Sequence, residues 1–470
     1  MRLSPSTDSI RARRNRGRFR FVLAVVVLAA IAFGALGALR VGPAPAIQIH
    51  SAAPAIGRST PVEVVVREPR RGLASVEVEL EQDGRRIPLA SERFAPLAPW
   101  KLWGARTAEH TFRLVVGRDA QPGLTEGEVT LRVTAAPAPA WLRRGGPAVL
   151  EVKSAVRLTP PSLAVVSSQH YVAQGGCEVV VYRVGKTSVR DGVEVGDWFF
   201  PGYPLPGGGE GERFAFFAIP WDVGDATRVK LVAADEVGNS RSAAFVDQFF
   251  PEPPRQADIR LEDPFLERVV AEIRENTPSL PDRGSLIADY VEINRELRKS
   301  NAAELRQLAT KTRPEFLWKA SFLVLPGGQV MAHFADHRSY HYQGRLVDQE
   351  YHLGFDLASV AHADVPAANA GVVVMARYFG IYGNAVVVDH GYGLMSLYAH
   401  LSAIAVHEGE PVGRGQVLGR SGATGLAGGD HLHFSFLLQG LPVRPVEWWD
   451  DHWLADRLKR KLGRALPWGG

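Results

Sequence analysis

Apolar and polar residues alternate with a period of two in the first part of the chain. In ASVEVELEQ, one face of the predicted strand carries Val76, Val78 and Leu80, while glutamates occupy the other face. This pattern is typical of a strand with one buried face. The strand ends at Asp83-Gly84, a strong hairpin signal, and GEVTLRVTA repeats the alternation. We therefore predict a β-sandwich domain over residues 40–157.

Residues 158–255 show the same kind of pattern. CEVVVYRVG, RFAFFAIPW and RVKLVAADEVGNSRSAAF are typical of strands between Gly- and Pro-rich turns, which predicts a second small sandwich. Its closing stretch, VAADEVGNSRS, resembles the last strands of bacterial immunoglobulin-like domains. The predicted fold class is therefore multidomain and mainly β, with two immunoglobulin-like sandwiches that serve as spacers or docking surfaces.

The period changes to that of a helix after the proline-rich break FFPEPPRQ. Asp263 is available as a cap and Pro264 lies in the first turn, and the apolar stripe that follows is Phe265, Leu266, Val269, Val270 and Ile273. We predict a helical segment over residues 256–315, packed against a neighbouring domain. The β pattern then returns and predicts a domain over residues 316–450, followed by a basic helix over residues 451–470.

The N-terminal region contains FVLAVVVLAAIAFGALGAL, residues 21–39, a run of 19 residues without a charge. A helix needs roughly 20 such residues to cross a bilayer. Seven arginines and one aspartate precede the run, so the positive-inside rule places residues 1–20 in the cytoplasm as a basic tail. We predict an uncleaved single-pass anchor. The alternative is a cleaved signal peptide, for which APA at residues 44–46 offers a small-residue site.

Charge and cysteine content narrow the function classes. The formal net charge of +4 comes from the basic tail, and the rest of the chain is slightly acidic, so we predict no nucleic-acid partner. The single cysteine, Cys177, can form no intrachain disulfide. Nothing basic surrounds it in the sequence, so we predict a small buried residue rather than a catalytic thiol.

The candidate chemistry lies in the last domain, where most of the fourteen histidines occur. HLHFSF places His431 and His433 two apart, which aims both imidazoles at one face of a strand. In YHLGFDLAS, His352 and Asp356 stand four apart and share a face if the segment is extended. His400 ends another apolar strand, SLYAHLS. Two histidines and one carboxylate are a common ligand set for catalytic zinc, and further histidines suit proton transfer and oxyanion stabilisation.

This part of the chain resembles the LytM/lysostaphin group of zinc metalloendopeptidases, which cut peptidoglycan peptides. The matching motifs are HLGFDLAS, GNAVVVDHGYGLMSLYAHLS, GEPVGRGQVLGRSGATG and GDHLHFSF, and the resemblance covers roughly residues 325–447. It implies a compact antiparallel β peptidase domain with a groove across one sheet. It also implies that one zinc ion is bound by His352, Asp356 and His433, with His400 and His431 as catalytic histidines.

The resemblance implies a membrane-anchored zinc endopeptidase that hydrolyses peptide cross-links of peptidoglycan. With the anchor and the absent disulfides, it predicts a single-pass protein of the inner (cytoplasmic) membrane whose C-terminal domains face the periplasm or cell wall. In that compartment a bond between D-alanine and a diamino acid is a better candidate than a glycine bridge. The alternative is a catalytically silent module that activates or recruits other wall hydrolases, but such a module should lack a ligand, and none is missing. A further hypothesis is that the helices of residues 256–313 cover the groove until something displaces them.

Other polar and aromatic residues near the motifs receive structural interpretations. His390 matches a turn position, and Asp430 is a turn former that could instead orient a ligand. Trp448 and Trp449 are predicted to close the core. The remaining histidines of this region are predicted to be surface or hydrogen-bonded residues, namely His333, His337, His341, His362 and His407.

Overall fold

The structure is a computed structural model that describes residues 7–39, 42–98, 101, 104–139 and 146–468. The first six residues of the predicted cytoplasmic tail, and the last two of the predicted C-terminal helix, lie outside this range. The chain divides into two compact units. Unit 1 comprises residues 1–160 with 235–239, and unit 2 comprises residues 161–234 with 240–470. The fold is mainly β, with one long apolar helix near the N-terminus.

The long helix of unit 1 is α1 (Thr7–Leu39). Its stretch Arg18–Ala38 is long and apolar enough to cross a membrane, and most of its large apolar side chains from Phe19 to Leu36 are exposed. An exposed apolar surface of this size is compatible with a single-pass anchor. A signal sequence near an N-terminus passes the same test of length and composition.

The rest of unit 1 is a β-sandwich. Its strands are β1 (Ala46–Ser51), β2 (Thr60–Arg67), β3 (Leu73–Gln82), β4 (Arg85–Arg93), β5 (Glu109–Val116), β6 (Gly127–Pro137) and β7 (Ala148–Val156). They form two antiparallel sheets, β1-β2-β5 and β4-β3-β6-β7, whose apolar side chains share one core. Val76, Val78 and Leu80 are fully buried, as the alternation predicts. Asp83 and Gly84, both with positive φ, make the tight turn between β3 and β4.

Unit 2 begins with a second β region. Its strands are β8 (Leu163–Val165), β9 (Tyr171–Ala173), β10 (Cys177–Val184), β11 (Arg190–Val195), β12 (Trp198–Pro201), β13 (Tyr203–Pro204), β14 (Glu212–Ala218), β15 (Val229–Ala234), β16 (Ser240–Ala243) and β17 (Gln248–Phe250). Two four-stranded sheets, β13-β14-β10-β8 and β12-β11-β15-β16, form this region together with a parallel pair of β17 and β9. Cys177 is buried, as predicted, and burial raises the pKa of its thiol well above the usual value. The immunoglobulin-like character of both sandwiches stays a prediction.

The segment predicted as helical over residues 256–315 starts as a strand. Strand β18 (Gln256–Leu261) alternates in the sequence QADIRL and pairs in parallel with a strand of the last domain. Helices α2 (Asp263–Asn276), α3 (Leu286–Glu292) and α4 (Arg298–Ala309) follow, with a π-helical turn at Ile293–Leu297 between the last two. Asp263 does not cap α2 as predicted, since Glu262 holds that position and the Asp263 carboxylate accepts a hydrogen bond from Tyr342.

The last part of unit 2 is built on an antiparallel sheet. Residues 310–328, all of them described, contain no strand. The strands that follow are β19 (Gln329–Ala332), β20 (Asp336–Tyr342), β21 (Arg345–His352), β22 (Phe355–Ala358), β23 (Asp364–Pro366), β24 (Gly371–Tyr378), β25 (Asn384–Gly391), β26 (Leu394–Leu401), β27 (Ala403–Ile404), β28 (Pro411–Val412), β29 (Val417–Arg420), β30 (Leu432–Leu438) and β31 (Leu441–Val443). The main sheet has the order β19-β22-β30-β26-β25-β24-β28, with β31 paired to β30, and smaller sheets are β18-β20-β21 and β23-β29-β27.

The C-terminal helical turns begin earlier in the chain than the sequence predicts. They are α5 (Pro445–Trp449), α6 (Asp451–Trp453), a π-helical turn at Leu454–Lys459, α7 (Arg460–Leu462) and a 3₁₀ turn at Gly463–Ala465. The β pattern therefore ends at Val443 rather than Trp449, because Pro445 starts a helix. Trp448 is fully buried in a core that also includes side chains of β10 and β14. The predicted domain boundaries at residues 158, 256 and 316 stay predictions, and this apolar core has members before residue 256 and after residue 316.

Candidate metal centre

Two neighbouring strands and the end of a third position the predicted metal ligands. Asp356 in β22 lies opposite His433 in β30 in the antiparallel register, and His352 is the last residue of β21. The segment between His352 and Asp356 is not one extended strand, which was the condition for a shared face, because the chain bends at residues 353–354. Gly354 allows this bend to pass close to His433, since a Cβ at Gly354 would lie 2.5 Å from His433 Nε2.

Three ligand atoms converge at this point. His352 Nε2 lies 2.9 Å from Asp356 Oδ1 and 3.0 Å from His433 Nδ1, and His433 Nδ1 lies 3.0 Å from Asp356 Oδ1. Ligand atoms around a tetrahedral zinc ion are roughly 3.3 Å apart, given zinc–nitrogen bonds of about 2.0–2.1 Å. The cluster therefore needs to widen by only a few tenths of an ångström to hold such an ion.

Hydrogen bonds on the far side of each imidazole decide which nitrogen carries the proton. His352 Nδ1 lies 3.0 Å from the His333 carbonyl oxygen, which can only accept, so Nδ1 is the donor. The Ser435 hydroxyl donates to the Leu353 carbonyl at 2.7 Å and therefore accepts from His433 Nε2 at 3.0 Å. In neutral imidazoles this leaves His352 Nε2 and His433 Nδ1 with lone pairs that face each other and a carboxylate. Three acceptors this close are satisfied by a proton or a metal ion between them, so the residues present fit a metal ion.

The Asp356 carboxylate uses its two oxygens differently. Oδ1 faces the histidines, while Oδ2 accepts a hydrogen bond of 2.9 Å from the Arg338 guanidinium of β20. Burial alone would raise the pKa of Asp356, but the charge of His352 and hydrogen bonds from the site histidines hold it well below its usual value. The carboxylate is therefore ionised and available as a ligand.

His400 and His431 lie beside this cluster, as predicted. Their ring centroids are 4.9 Å apart, and the His400 ring is 5.7 Å from that of His433. His400 Nδ1 donates to the Thr424 carbonyl at 2.8 Å, and His431 Nδ1 donates to the Gly429 carbonyl at 2.8 Å. Each histidine therefore keeps its Nε2 for the site. His400 has a φ of 62°, an uncommon conformation for a residue with a side chain and one that often marks functional positions.

The environments of these two histidines push their pKa values in opposite directions. Burial lowers the pKa of His400 well below its usual value, helped by the nearby charges of His431 and His433. Burial also acts to lower the pKa of His431, but the Asp356 carboxylate, 3.5 Å from its Nε2, outweighs burial and raises that pKa. Histidine pairs with separated pKa values suit acid and base roles.

The other residues singled out in the sequence have structural contacts. His390 is fully buried, and its two ring nitrogens lie 2.8 Å from the Ala370 carbonyl and the Ser396 hydroxyl, which confirms its structural role. The Asp430 carboxylate, in the loop before β30, accepts hydrogen bonds from the Ser421 hydroxyl and from the backbone N–H of His362. The sequence reasoning missed Ser435 and Arg338. Ser435 lies two positions after His433 on the same face of β30, so the period-two pattern of a strand could have identified it. No nearby sequence pattern identifies Arg338.

The site cavity is small. It has a volume of about 110 Å³, and it is lined by the five predicted site residues together with Arg298, Arg338, Tyr382 and Leu426, among others. Arg298 belongs to α4, so the helical segment forms part of the cavity wall. The five site residues are all buried or nearly so.

Comparison with known proteins assigns this domain to a family. Residues 350–445 match the model for peptidase family M23, so this part of the chain is an M23 peptidase domain of the LytM type. Residues of this chain are 43% identical over 96 positions to the peptidoglycan DD-endopeptidase ShyA of Vibrio cholerae, covering 20% of this chain and 22% of ShyA. They are 43% identical over 95 positions to the DD-carboxypeptidase/endopeptidase Mpg of Neisseria meningitidis, again covering 20% of this chain and 22% of that protein.

These matches involve only about a fifth of each relative. Among solved structures, a Pseudomonas aeruginosa protein described as an M23 peptidase aligns with 59% of this chain and 94% of its own, at 24% identity and a TM-score of 0.36. A TM-score of this size does not establish a shared overall arrangement. The family assignment therefore concerns residues 350–445.

Proposed function

We propose that this protein is a zinc metalloendopeptidase that hydrolyses the peptide cross-links of peptidoglycan. The observation that carries the proposal is the convergence of His352 Nε2, His433 Nδ1 and Asp356 Oδ1 with their hydrogen bonds oriented for a metal ion. The M23 match and the DD-endopeptidase names of the relatives support the reaction class. In this proposal α1 anchors the chain in the inner membrane, with the peptidase domain on the periplasmic or cell-wall side.

The chemistry divides between one zinc ion and two histidines. His352, Asp356 and His433 would hold the ion, which when bound polarises a carbonyl and lowers the pKa of a coordinated water toward neutrality. His400 presents an unprotonated Nε2 to the cavity, because its Nδ1–H is engaged by Thr424, and so it can take a proton from the attacking water. His431, held by Gly429, can donate from Nε2 to the developing oxyanion or to the leaving amine.

The substrate bond we propose joins a D-alanine to a diamino acid. One relative is named a DD-endopeptidase and the other a DD-carboxypeptidase/endopeptidase, which favours a bond between two D-centres over a glycine bridge. The alternative function, a catalytically silent module that recruits other wall hydrolases, is less favoured because each ligand and each catalytic histidine is present and oriented.

The first test combines metal analysis with hydrolysis. Full-length protein in detergent should contain about one zinc ion per chain, both as wild type and as His431→Ala. Wild type should release peptides from purified peptidoglycan, and His431→Ala should release them at least about 100-fold more slowly, the usual size of a lost general acid or base. Zinc without cleavage by the wild type would favour the silent module. No zinc in the wild type would contradict the ligand assignment.

A further inference from the structure

Arg338 is the side chain that holds the outer oxygen of the Asp356 carboxylate. Its Nη2 donates to Asp356 Oδ2 at 2.9 Å, while Oδ1 of the same carboxylate faces His352 and His433. The side chains of Arg338 and Asp356 are 21% and 13% exposed. A charge-assisted hydrogen bond with so little solvent contact fixes the carboxylate in one orientation.

Arg338 lies outside the segment that matches the M23 family model. It lies in the middle of β20, twelve residues before the matched region begins. Strand β20 is held between β18 on one side and β21 on the other. The carbonyl that orients His352 also lies before the matched region, since His333 is in the turn between β19 and β20. Residues 329–342 therefore supply two of the contacts that orient ligand side chains.

We propose that Arg338 is a positioning residue that makes Asp356 a one-oxygen ligand, and that residues 329–342 thereby complete the metal centre formed by residues of the matched segment. The inference rests on the proposed metal site. A carboxylate with both oxygens free can bind a metal ion through both, which raises the coordination number and fills the position needed by water. Arg338 occupies Oδ2 and leaves only Oδ1 to the metal. Outer contacts of this kind commonly change metal affinity 10- to 100-fold.

The test measures metal binding rather than hydrolysis. In Arg338→Met we expect the zinc dissociation constant, measured by competition with a chelating dye, to rise roughly 10- to 100-fold. The cobalt(II)-substituted protein should lose visible absorption, because cobalt absorbs most strongly when four-coordinate and a two-oxygen carboxylate raises the coordination number. Arg338→Lys keeps the charge but loses the planar donor geometry, so its zinc affinity should fall less, by roughly three- to tenfold.

A matched control separates this role from general stability. Arg345→Met changes an exposed arginine of the adjoining strand β21 and should leave zinc affinity and the cobalt spectrum unchanged. A merely structural ion pair would lower the melting temperature of Arg338→Met without altering the cobalt spectrum. A wild-type spectrum and an affinity within twofold of wild type would therefore overturn the proposal. If Arg338→Met does not fold, the same criterion applies to Arg338→Lys.

Failure of this inference can be told apart from failure of the proposed function. If the wild type binds zinc but releases no peptides, the enzymatic proposal fails, and the dye and cobalt measurements still decide the role of Arg338. If the wild type binds no zinc, both proposals are wrong. If hydrolysis occurs and Arg338→Met binds zinc normally, only the role of Arg338 is wrong.

Discussion

At the scale of single residues, the shape of the candidate metal centre depends on the close approach of the bend at Gly354 to His433. A Cβ at Gly354 would lie 2.5 Å from His433 Nε2 and 2.5 Å from Ser435 Oγ. These two atoms make the hydrogen bond that leaves His433 Nδ1 free for a metal. The glycine is therefore required by space at the site and not by its backbone conformation.

Gly354→Ala should weaken the metal site through this contact. The added methyl group must displace the His433 ring or the Ser435 hydroxyl, so we expect at least a tenfold loss of zinc affinity and about 1–3 kcal/mol of lost stability, as for overpacked cores. Zinc titration and urea unfolding measure the two effects. Gly413→Ala is the control, since no described atom lies within 4 Å of the Cβ built there. Zinc affinity equal to the wild type in Gly354→Ala would contradict the argument.

The sequence predicted which residues meet, but not how they are held. His431 and His433 share one face because the spacing of two is a local property of a strand. The spacing of His352 and Asp356 and the position of His400 marked them as candidates, and the resemblance to known motifs supplied their roles. Their catalytic and ligand roles stay predictions. Arg338 and the bend at residues 353–354 could not be predicted, because both depend on the approach of chain segments that are distant in sequence.

At the scale of secondary-structure elements, helix α2 contacts the loop at the end of the glycine-rich motif. The Arg268 guanidinium donates to the carbonyls of Ala423 and Ala427, and the Glu272 carboxylate accepts from Gly425 N at 2.7 Å and from Tyr378 at 3.2 Å. The site cavity, which Leu426 and Ala427 of this loop help to line, has a volume of about 110 Å³. Ligand pockets usually measure roughly 300–1,000 Å³. These observations support the hypothesis that the helical segment covers the groove.

Loosening α2 should therefore speed hydrolysis. In the double variant Arg268→Ala with Glu272→Ala, we expect release of peptides from peptidoglycan to rise several-fold while zinc content stays at the wild-type level. The control is Glu267→Ala with Glu275→Ala, which removes two exposed charges from the same helix. Equal rates in all three proteins would contradict a covering role. A higher rate in the control as well would point to helix stability and not to the contacts with the loop.

The helical segment also shows where element prediction succeeds and fails. The buried stripe of α2 was predicted correctly, since Leu266, Val269, Val270 and Ile273 are all buried, and its neighbours in the core include Tyr340 and Ile381 of the last domain. Strand β18 was missed because it has only six residues and its partner β20 lies about 80 positions later. Short strands with distant partners carry too weak a local pattern to be recognised.

At the scale of the whole molecule, buried polar contacts connect the β region of unit 2 with its peptidase region. Glu447 of α5 accepts a hydrogen bond of 2.7 Å from the backbone N–H of Cys177, a contact between residues 270 positions apart. Beside it, Lys461 and Glu178 form an ion pair of 2.6 Å whose side chains are 3% and 0% exposed. Composition and period carry no information on such contacts, so the continuity of this unit could not be predicted from the sequence.

The Glu447 contact should make the stability of unit 2 depend on pH. Burial raises the pKa of Glu447 to about 8, whereas an unfolded glutamate has a pKa of about 4.3. Between these values the folded protein binds the extra proton, so this residue lowers the free energy of unfolding as pH rises from about 4.3 to about 8. Glu447→Gln keeps a hydrogen-bond acceptor for Cys177 but cannot ionise. Its free energy of unfolding should therefore not show this decrease as pH rises.

Urea unfolding at pH 6 and pH 9 measures the difference. From pH 6 to pH 9, the free energy of unfolding of Glu447→Gln should rise by about 1–3 kcal/mol relative to that of the wild type. This is less than the full pKa shift would give, because Glu447 retains some solvent contact. Glu275→Gln, a change at an exposed glutamate, should follow the wild type at both pH values. Parallel pH dependence of wild type and Glu447→Gln would mean that the carboxylate at this contact is already ionised at pH 6. The ionised carboxylate would then be a favourable partner of the Cys177 N–H rather than a source of pH sensitivity.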